Sequence, residues 1–353
     1  MKKIFGFLVC VLLMASLLAV TAGAEEDLSA YSISNGTVQA ARFEDLTAPC
    51  SGTLLPFDRS VGDTVDEGEV LFQMMTTRIT APVNGSVTAL FVGEGDSVDA
   101  AMATYGTAMA IEPEYTSRMH ASYLTAYEKQ DCLHVHVGQP LWFKFGYEEG
   151  TGIVVSTAGE YYEVEIQTGD FNIGRKIGLY KDEDLSADCR VGEGIVYRRD
   201  DVTVGGSGVV TKLAVKPGDS VKKGDTLFEV LGPDADLGAM PDVSAPAEGV
   251  LSVVAAASGQ QVWKGQLLAR ISRTDSLEIV ADVDEMDLNG LKVGNRVPVT
   301  LDTKESEILT GTVTEISGLG VTRQNAAYYT VHLSVEADDL MLGQSASVYL
   351  PRS

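Results

Sequence analysis

Histidine is the residue type in this chain with the clearest potential for metal chemistry, because four histidines occur and two of them are close in sequence. His134 and His136 stand two apart in LHVHVG, and strand alternation would place both side chains on one face. A catalytic zinc ion needs three protein ligands and an open position for water. Neither of the other histidines, His120 and His332, has an aspartate four residues later. The pattern therefore favours the polar face of a strand over a zinc site.

Lysines in tight turns could serve a second chemistry, the covalent attachment of biotin or lipoate. The stretch VKPGDSVKKGDTLFEVL, residues 215–231, predicts two strands joined by turns at Gly218 and Gly224. In a domain that carries biotin or lipoate, the modified lysine lies at the exposed tip of a turn that joins the two halves of the domain. The tip segments MMTTRI and GPDADLGAMPDV, residues 74–79 and 232–243, contain no lysine. We therefore predict that the hairpin is scaffold, since a shared fold does not carry function with it.

Acidic and glycine-rich segments complete the search for reactive groups. The run DVDEMD, residues 282–287, lacks the glycine and the distal glutamate of a calcium loop, and it is interpreted as the solvated start of a helix. The segment VTVGGSGVV, residues 202–210, leads into a strand rather than a helix, so no phosphate site is predicted. There is no Gly-x-Ser-x-Gly elbow and no P-loop. The sequence predicts no catalytic residue, no cofactor-binding residue, no metal ligand and no cofactor.

The elements around these residues form an internal repeat. SVGDTVDEGEVLF, residues 60–72, matches KPGDSVKKGDTLF, residues 216–228. TAPVNGSV at residues 80–87 likewise matches SAPAEGVL at residues 244–251. Two halves of this kind form the flattened sandwich of biotinyl and lipoyl domains. We predict two such lipoyl-like barrel-sandwich modules in tandem, residues 46–113 and 204–272, as a duplication of domains.

Each module is followed by a segment with the periodicity of strands. The alternating apolar residues are Tyr162, Val164 and Ile166 in the first segment and Tyr329, Val331, Leu333 and Val335 in the second. Alternation with a period of two marks strands that have one buried face. We predict that each segment is a small antiparallel β-barrel, with bounds of 114–203 and 273–353. The predicted fold class is all-β, with no long helical hairpin.

A lipoyl-like module followed by such a barrel resembles the membrane fusion proteins, also called periplasmic adaptors, of the hemolysin D type. The resemblance also rests on the lead-in strand NGTVQA, residues 35–40, and on the Val-Gly turn of DVDEMDLNGLKVGNRVPV, residues 282–299. It implies a non-catalytic adaptor that docks on an ABC or RND-type permease. It further implies a homo-oligomeric ring in which the modules pack edge to edge and the barrels lie nearer the membrane. Our hypothesis for the contact is the exposed turn at Lys222 and Lys223.

Many members of that family insert a long α-helical hairpin between the two lipoyl halves to reach an outer-membrane channel. Here the gaps inside the predicted modules are Thr76-Thr77 and about residues 232–242, and neither can hold a helix of useful length. No heptad run occurs elsewhere. We therefore favour an ABC permease over an RND permease as the partner. The protein would then belong to a single-membrane organism, or it would be a shortened adaptor beside an ABC permease.

The first residues predict export. Lys2 and Lys3 precede an apolar run at residues 4–20 and the small residues Ala22-Gly23-Ala24, which predicts a signal peptide at residues 1–24. An uncleaved anchor is the alternative, because 17 residues is about the lower limit for spanning a bilayer. Residues 25–45 are then a lead-in strand, and the protein acts at the extracytoplasmic face of the cytoplasmic membrane. The net charge of −24 argues against nucleic acid as a partner.

Cysteine usage does not predict a disulfide framework. Removal of Cys10 with the signal leaves Cys50, Cys132 and Cys189, and an odd number favours separate thiols. Whether Cys132 and Cys189 pair stays open at this point.

Two other functions are weighed against the adaptor. An exported cell-surface binding protein could reuse these modules, but the two tryptophans, Trp142 and Trp263, do not predict an aromatic cluster for recognition. A zinc peptidase of the lysostaphin type, which ends its site with a His-x-His pair, is disfavoured because its other motif is missing.

Overall fold

The computed structural model describes residues 31–128, 130–304, 306–323, 326–337 and 340–351, so the predicted signal peptide lies outside the described residues. The chain divides into two compact units, one with the residues up to Phe43 and from Ser272 onwards, and one with Glu44–Ile271. The predicted all-β class is confirmed, since α1 (Val98–Tyr105) is the one α-helix within these ranges and no long helical hairpin is present there. None of the helices in the described part of the chain combines the length and apolarity needed to cross a membrane.

The first unit is a closed antiparallel barrel, here called the second barrel. Its strands are β1 (Tyr31–Ala40), β23 (Leu277–Asp284), β24 (Arg296–Leu301), β25 (Leu309–Arg323), β26 (Ala326–Val335) and β27 (Ser345–Pro351). They close in the order β1-β23-β26-β25-β24-β27. Of the four residues predicted to alternate, Val331 and Leu333 are fully buried in its core, and Tyr329 and Val335 are partly buried.

The predicted lead-in strand at residues 25–45 has to be corrected, because β1 is an integral strand of the second barrel. Val38 lies opposite Ile279 on one side, and Ile33 lies opposite Tyr349 on the other. The pairing bridges residues more than 200 positions apart, which local patterning cannot show.

The second unit contains another closed barrel, here called the first barrel. Its strands are β9 (Ser117–Ser122), β10 (Pro140–Phe145), β11 (Glu148–Ala158), β12 (Tyr161–Thr168), β13 (Lys176–Tyr180) and β14 (Arg190–Arg198). The order β10-β11-β12-β9-β14-β13 is the ring order of the second barrel, with β14 in the place of β1. Tyr162, Val164 and Ile166 are buried as the sequence predicted.

The rest of the second unit forms two sandwich modules. The outer module contains β2 (Phe43–Thr47), β3 (Gly52–Thr53), β4 (Thr64–Val65), β5 (Val70–Gln73), β19 (Asp242–Ser244), β20 (Gly249–Val254), β21 (Gln261–Val262) and β22 (Leu267–Arg273). The inner module contains β6 (Thr77–Thr80), β7 (Gly85–Leu90), α1, β8 (Met109–Pro113), β15 (Val202–Val204), β16 (Val209–Leu213), β17 (Ser220–Val221) and β18 (Thr226–Leu231). Each module has its own apolar core.

The halves of these modules pair crosswise, which corrects the predicted boundaries 46–113 and 204–272. In the outer module Val70 lies opposite Ser244, and Thr53 lies opposite Gln261. In the inner module Gly85 lies opposite Val221. The first half of each predicted module thus joins the second half of the other. The turn and apolar patterns of the two repeats are interchangeable, so the sequence does not decide which halves pair.

The crosswise pairing nests the domains along the chain. The inner module and the first barrel together form an inserted arm, residues 76–241, between the two halves of the outer module. The first barrel is in turn inserted between β8 and β15 of the inner module, so its predicted bounds of 114–203 are close to those of its strands.

Candidate docking surface at the Lys222–Lys223 turn

The turn between β17 and β18 carries Lys222 and Lys223 with both side chains exposed. The backbone N–H of Lys222 donates to Asp225 Oδ2 over 2.8 Å, and Gly224 adopts a φ of 96°, which is strained for any residue with a Cβ. The N–H of Lys223 donates to Asn84 Oδ1 over 2.9 Å. The backbones of Ala81 and the turn exchange two further hydrogen bonds of 2.8 Å. The sequence therefore builds a rigid turn that presents two cations to solvent.

A second set of cations lies where the first barrel meets the inner module. Arg118 at the start of β9 and Arg199 just after β14 both donate to Oε2 of Glu165, over 2.9 Å and 3.3 Å. All three side chains are only about a fifth exposed. Desolvation and the adjacent Arg118 charge lower the pKa of Arg199 from its usual value. Two guanidinium groups share one carboxylate, so this cluster keeps an excess of positive charge.

A cavity of about 230 Å³ connects the two groups of cations. Its polar lining includes Asn84, Glu114, Arg118, Glu165, Arg199 and Lys223. A neighbouring cavity of about 460 Å³ is bordered by Lys222 and by the segment that contains Glu112 and Glu114. Small-molecule sites are mostly apolar, whereas these walls are polar and open. The arrangement suits contact with charged loops of a protein better than enclosure of a small ligand.

The segment YRRDDV, residues 197–202, joins the end of β14 to β15 and carries two arginines. In the structure its partners lie on other strands. The Tyr197 hydroxyl donates to Glu163 over 2.8 Å, and Arg198 pairs with Glu112 at 2.9 Å. Burial, and then the hydrogen bond to Glu163, raise the pKa of Tyr197. Period-two alternation along a strand directs neighbouring side chains to different faces, which accounts for the different partners of Tyr197 and Arg198.

The histidines weighed as zinc ligands are not brought together. His134 and His136 are exposed and precede the Gly138 turn, where the His136 N–H donates to Gln139 Oε1. His120 contacts Glu163 and stacks on Tyr161, and His332 contacts Glu278 in the second barrel. Within the described ranges no group of three or more His, Cys, Asp and Glu side chains could hold a metal ion.

The acidic run at residues 282–287 is the end of β23 followed by turns, rather than the predicted start of a helix. Asp284 Oδ1 accepts from the Met286 N–H over 2.9 Å, which resembles a helix start. Gly290, with a φ of 95°, then lies in the left-handed region and interrupts a right-handed helix.

The tips at which a carrier domain would hold its lysine are crossovers in this fold. Residues 74–77 lead from the outer module to the inner one, and residues 232–241 lead back. The Asp242–Gln73 and Thr77–Val230 pairings fix the strands on either side of these crossovers. A swinging cofactor needs a free hairpin tip, and here the chain continues through both tips.

Comparison with known proteins places these features in context. Residues 201–271 match the family described as biotin-requiring enzyme. A segment of 115 residues is 31% identical to YhbJ of Bacillus subtilis (strain 168), which is named as a component of an efflux system. The match covers 33% of this chain and 50% of the relative, so the chain spans about half of that relative's length.

Two solved structures are also matched over part or most of the chain. The membrane fusion protein Spr0693 from Streptococcus pneumoniae R6 is 22% identical with a TM-score of 0.27, over 32% of this chain and 49% of that one. MacA from Actinobacillus actinomycetemcomitans is 12% identical with a TM-score of 0.40, over 91% of this chain and 78% of that one. The resemblance predicted from the sequence is confirmed, because residues 201–271 match the biotin-requiring enzyme family and a segment of 115 residues is similar to a component of an efflux system.

Proposed function

We propose that this protein is a non-catalytic adaptor subunit of an efflux transporter and that it docks on a permease at the extracytoplasmic face of the cytoplasmic membrane. The observation that carries the proposal is the 31% identity over 115 residues to a component of an efflux system. The crossovers at residues 74–77 and 232–241 support it, because they occupy the tips that a carrier would need and contain no lysine. An ABC permease is favoured over an RND permease.

The inserted arm supports an adaptor that has β domains where many adaptors have a helical hairpin. The family resemblance implies a helical hairpin between the two lipoyl halves of many adaptors, and the arm stands at that position in the outer module. The arm is built of a second sandwich and a barrel, which present rigid β surfaces instead of a coiled-coil seam. We infer that the arm contacts a transporter rather than an outer-membrane channel.

Charge indicates which part of the arm makes that contact. The whole chain carries a net charge of −24, so the cations at Lys222, Lys223, Arg118 and Arg199 stand out from a predominantly acidic protein. Complementary charge steers association and fixes the register of docked surfaces. We infer that acidic extracytoplasmic loops of the permease bind at this surface.

The experiment that tests the adaptor is affinity purification of the tagged protein from detergent-solubilised native membranes, followed by mass spectrometry. We expect a permease subunit to copurify, with its ATPase if the transporter is of the ABC class. Native mass spectrometry of the purified protein tests the homo-oligomeric ring that the family resemblance implies. A monomer that brings no membrane protein would overturn the adaptor and favour a free-standing surface-binding protein.

A pair of charge-reversal variants locates the contact. Lys222→Glu/Lys223→Glu should reduce permease recovery at least several-fold, since rim charges govern association. Lys212→Glu/Lys216→Glu is the matched control, because it changes the same charge at exposed positions of the same module. Equal recovery with both double variants would refute the docking site while leaving the adaptor function intact.

A further inference from the structure

Two cysteines meet at the end of the first barrel that is remote from the inner module. Ser122 at the end of β9 lies opposite Glu193 near the start of β14, so the loops that follow β9 and precede β14 emerge at the same end. One loop contains a 3-10 turn that ends at Cys132, and the other contains a 3-10 turn that ends at Cys189. The barrel therefore brings together two thiols that are far apart in sequence.

A hydrogen bond next to Cys189 limits the separation of the two cysteines. The Cys132 thiol donates to the carbonyl oxygen of Asp188 over 3.3 Å, and Asp188 directly precedes Cys189. Peptide geometry places the Cα of Cys189 about 2.8 Å from that oxygen, so the Cys132 Sγ lies within roughly 6 Å of this Cα. The Tyr127 N–H also donates to Arg190 O over 2.9 Å and holds the loops together beside the thiols.

The structure also shows what keeps the thiols apart. The Cys189 thiol points to Asp182 and donates to its Oδ2 over 2.8 Å. This hydrogen bond, more than any other cause, raises the pKa of Cys189, because the carboxylate stabilises the protonated thiol. Cys132 is buried, with 3% of its surface exposed, and Cys189 is partly exposed. Cys189 is thus the thiol that an oxidant reaches first.

We propose that Cys132 and Cys189 form a dithiol–disulfide site that fastens the two end loops of the first barrel. The oxidant is a disulfide of the glutathione type. The Cys189 thiolate attacks one sulfur of the oxidant and releases a thiol, which gives a mixed disulfide. The Cys132 thiolate then attacks the Cys189 sulfur and releases the second thiol. Two electrons pass to the oxidant's disulfide, and the two protons from the cysteines end on the released thiols.

The wild-type protein tests the proposal without any substitution. The reduced full-length protein is incubated with oxidised glutathione, denatured, alkylated with N-ethylmaleimide and analysed by peptide mapping. We expect a peptide that links Cys132 to Cys189, while Cys50 is alkylated because it is buried in a different core. Alkylation of both Cys132 and Cys189, or a glutathione adduct that persists on Cys189, would overturn the proposal.

Variants then separate the roles of the residues. Cys132→Ser should accumulate glutathione on Cys189, because the second attack is lost. Asp182→Asn should accelerate formation of the link several-fold near pH 7, since more thiolate is present. Asp184→Asn is the matched control, because it removes the same charge from an exposed position of the same loop. Equal rates for these two variants would show that Asp182 does not restrain Cys189.

Discussion

Asp234 and Ser51 are joined by three hydrogen bonds across 183 positions of sequence. The carboxylate accepts from the Ser51 N–H over 2.9 and 3.1 Å and from the Ser51 hydroxyl over 2.6 Å. Lys264 completes the contact, since its Nζ donates to the Asp234 carbonyl over 2.8 Å. This cluster fixes the returning crossover, residues 232–241, to the first strands of the outer module.

The Asp234 contact predicts a specific pH dependence of stability. Its hydrogen bonds with the Ser51 hydroxyl and backbone, together with the Lys264 charge, hold the pKa of Asp234 below its usual value. A lowered pKa in the folded state stabilises the protein above the unfolded pKa, about 3.9, and the stabilisation is lost as the pH falls through the folded value. Asp234→Asn should therefore flatten the fall in stability below about pH 4. Urea unfolding measured by circular dichroism from pH 3 to 7 checks this.

The control for that prediction lies in the same crossover. Asp236 has 81% of its side chain exposed and pairs with Lys264. Asp236→Asn is the matched control, because it removes the same charge from the same crossover. The same flattening in both variants would mean that general charge, rather than the Ser51 contact, sets the profile.

The crosswise pairing predicts which engineered cysteines can be linked. Thr53 lies opposite Gln261, and in the inner module Ser97 forms the corresponding bridge to Val209. In a background without native cysteines, Thr53→Cys/Gln261→Cys should oxidise to an intramolecular disulfide, because directly opposed Cβ atoms, about 4.5–5.5 Å apart, need to approach by no more than about 1 Å. Non-reducing electrophoresis of the monomer measures the link. Modules formed from consecutive halves would instead link Thr53→Cys with Ser97→Cys, so a link in that variant alone would refute the crosswise fold.

Gly208 predicts a severe effect of adding one methyl group. Its φ is 114°, and a Cβ built on it would lie 1.8 Å from the Leu231 carbonyl oxygen. Its N–H also donates to Asp99 in α1 over 2.9 Å. Gly208→Ala should cost about 3 kcal/mol or more through strain and displacement of β18. Differential scanning calorimetry should show a lower melting temperature for the inner module.

A matched glycine separates backbone strain from steric overlap. Gly218 has a φ of 95° but open space around its missing Cβ. Gly218→Ala should cost only about 1 kcal/mol. Equal costs at the two glycines would argue against the close approach of the Gly208 and Leu231 backbones.

The arginine cluster at the base of the first barrel predicts a loss of stability when its shared carboxylate is neutralised. Glu165→Gln leaves Arg118 and Arg199 facing each other, about a fifth exposed. We expect a cost of about 2 kcal/mol, between those of an exposed pair and a buried pair. Chemical denaturation measures it, with Glu112→Gln as the control because its pair with Arg198 is more exposed. A cost no larger than that of the control would contradict the assigned role of Glu165.

The sequence predicts strands and turns well because those signals are local. Alternation at Tyr162, Val164 and Ile166 gives the buried face of β12, and glycines such as Gly224 mark turns that need a positive φ. The choice of strand partners is not local. Val70 could pair with either of two similar half-modules, and contacts between distant halves, such as the hydrogen bond of 3.1 Å from the Phe57 N–H to Ser258 Oγ, accompany the observed pairing.

The candidate docking surface was predicted only in part. The Lys222–Lys223 turn follows from the spacing of glycine and lysine, and the structure shows it exposed. The Arg118–Glu165–Arg199 cluster was missed, because its members come from three segments that meet only when the barrel closes. No pattern in the sequence connects them.

The nesting of the domains sets an order in which a chain synthesised from its N-terminus can fold. The first barrel has its last strand once Arg198 has emerged, the inner module waits for Leu231, and the outer module waits for Arg273. β1 emerges before all of them, yet both of its neighbours, β23 and β27, are made at the end. We expect this strand to remain an unpaired edge throughout synthesis, which is the condition under which edges recruit wrong partners. We therefore expect the protein to fold from its middle outwards and holdase chaperones to act on β1.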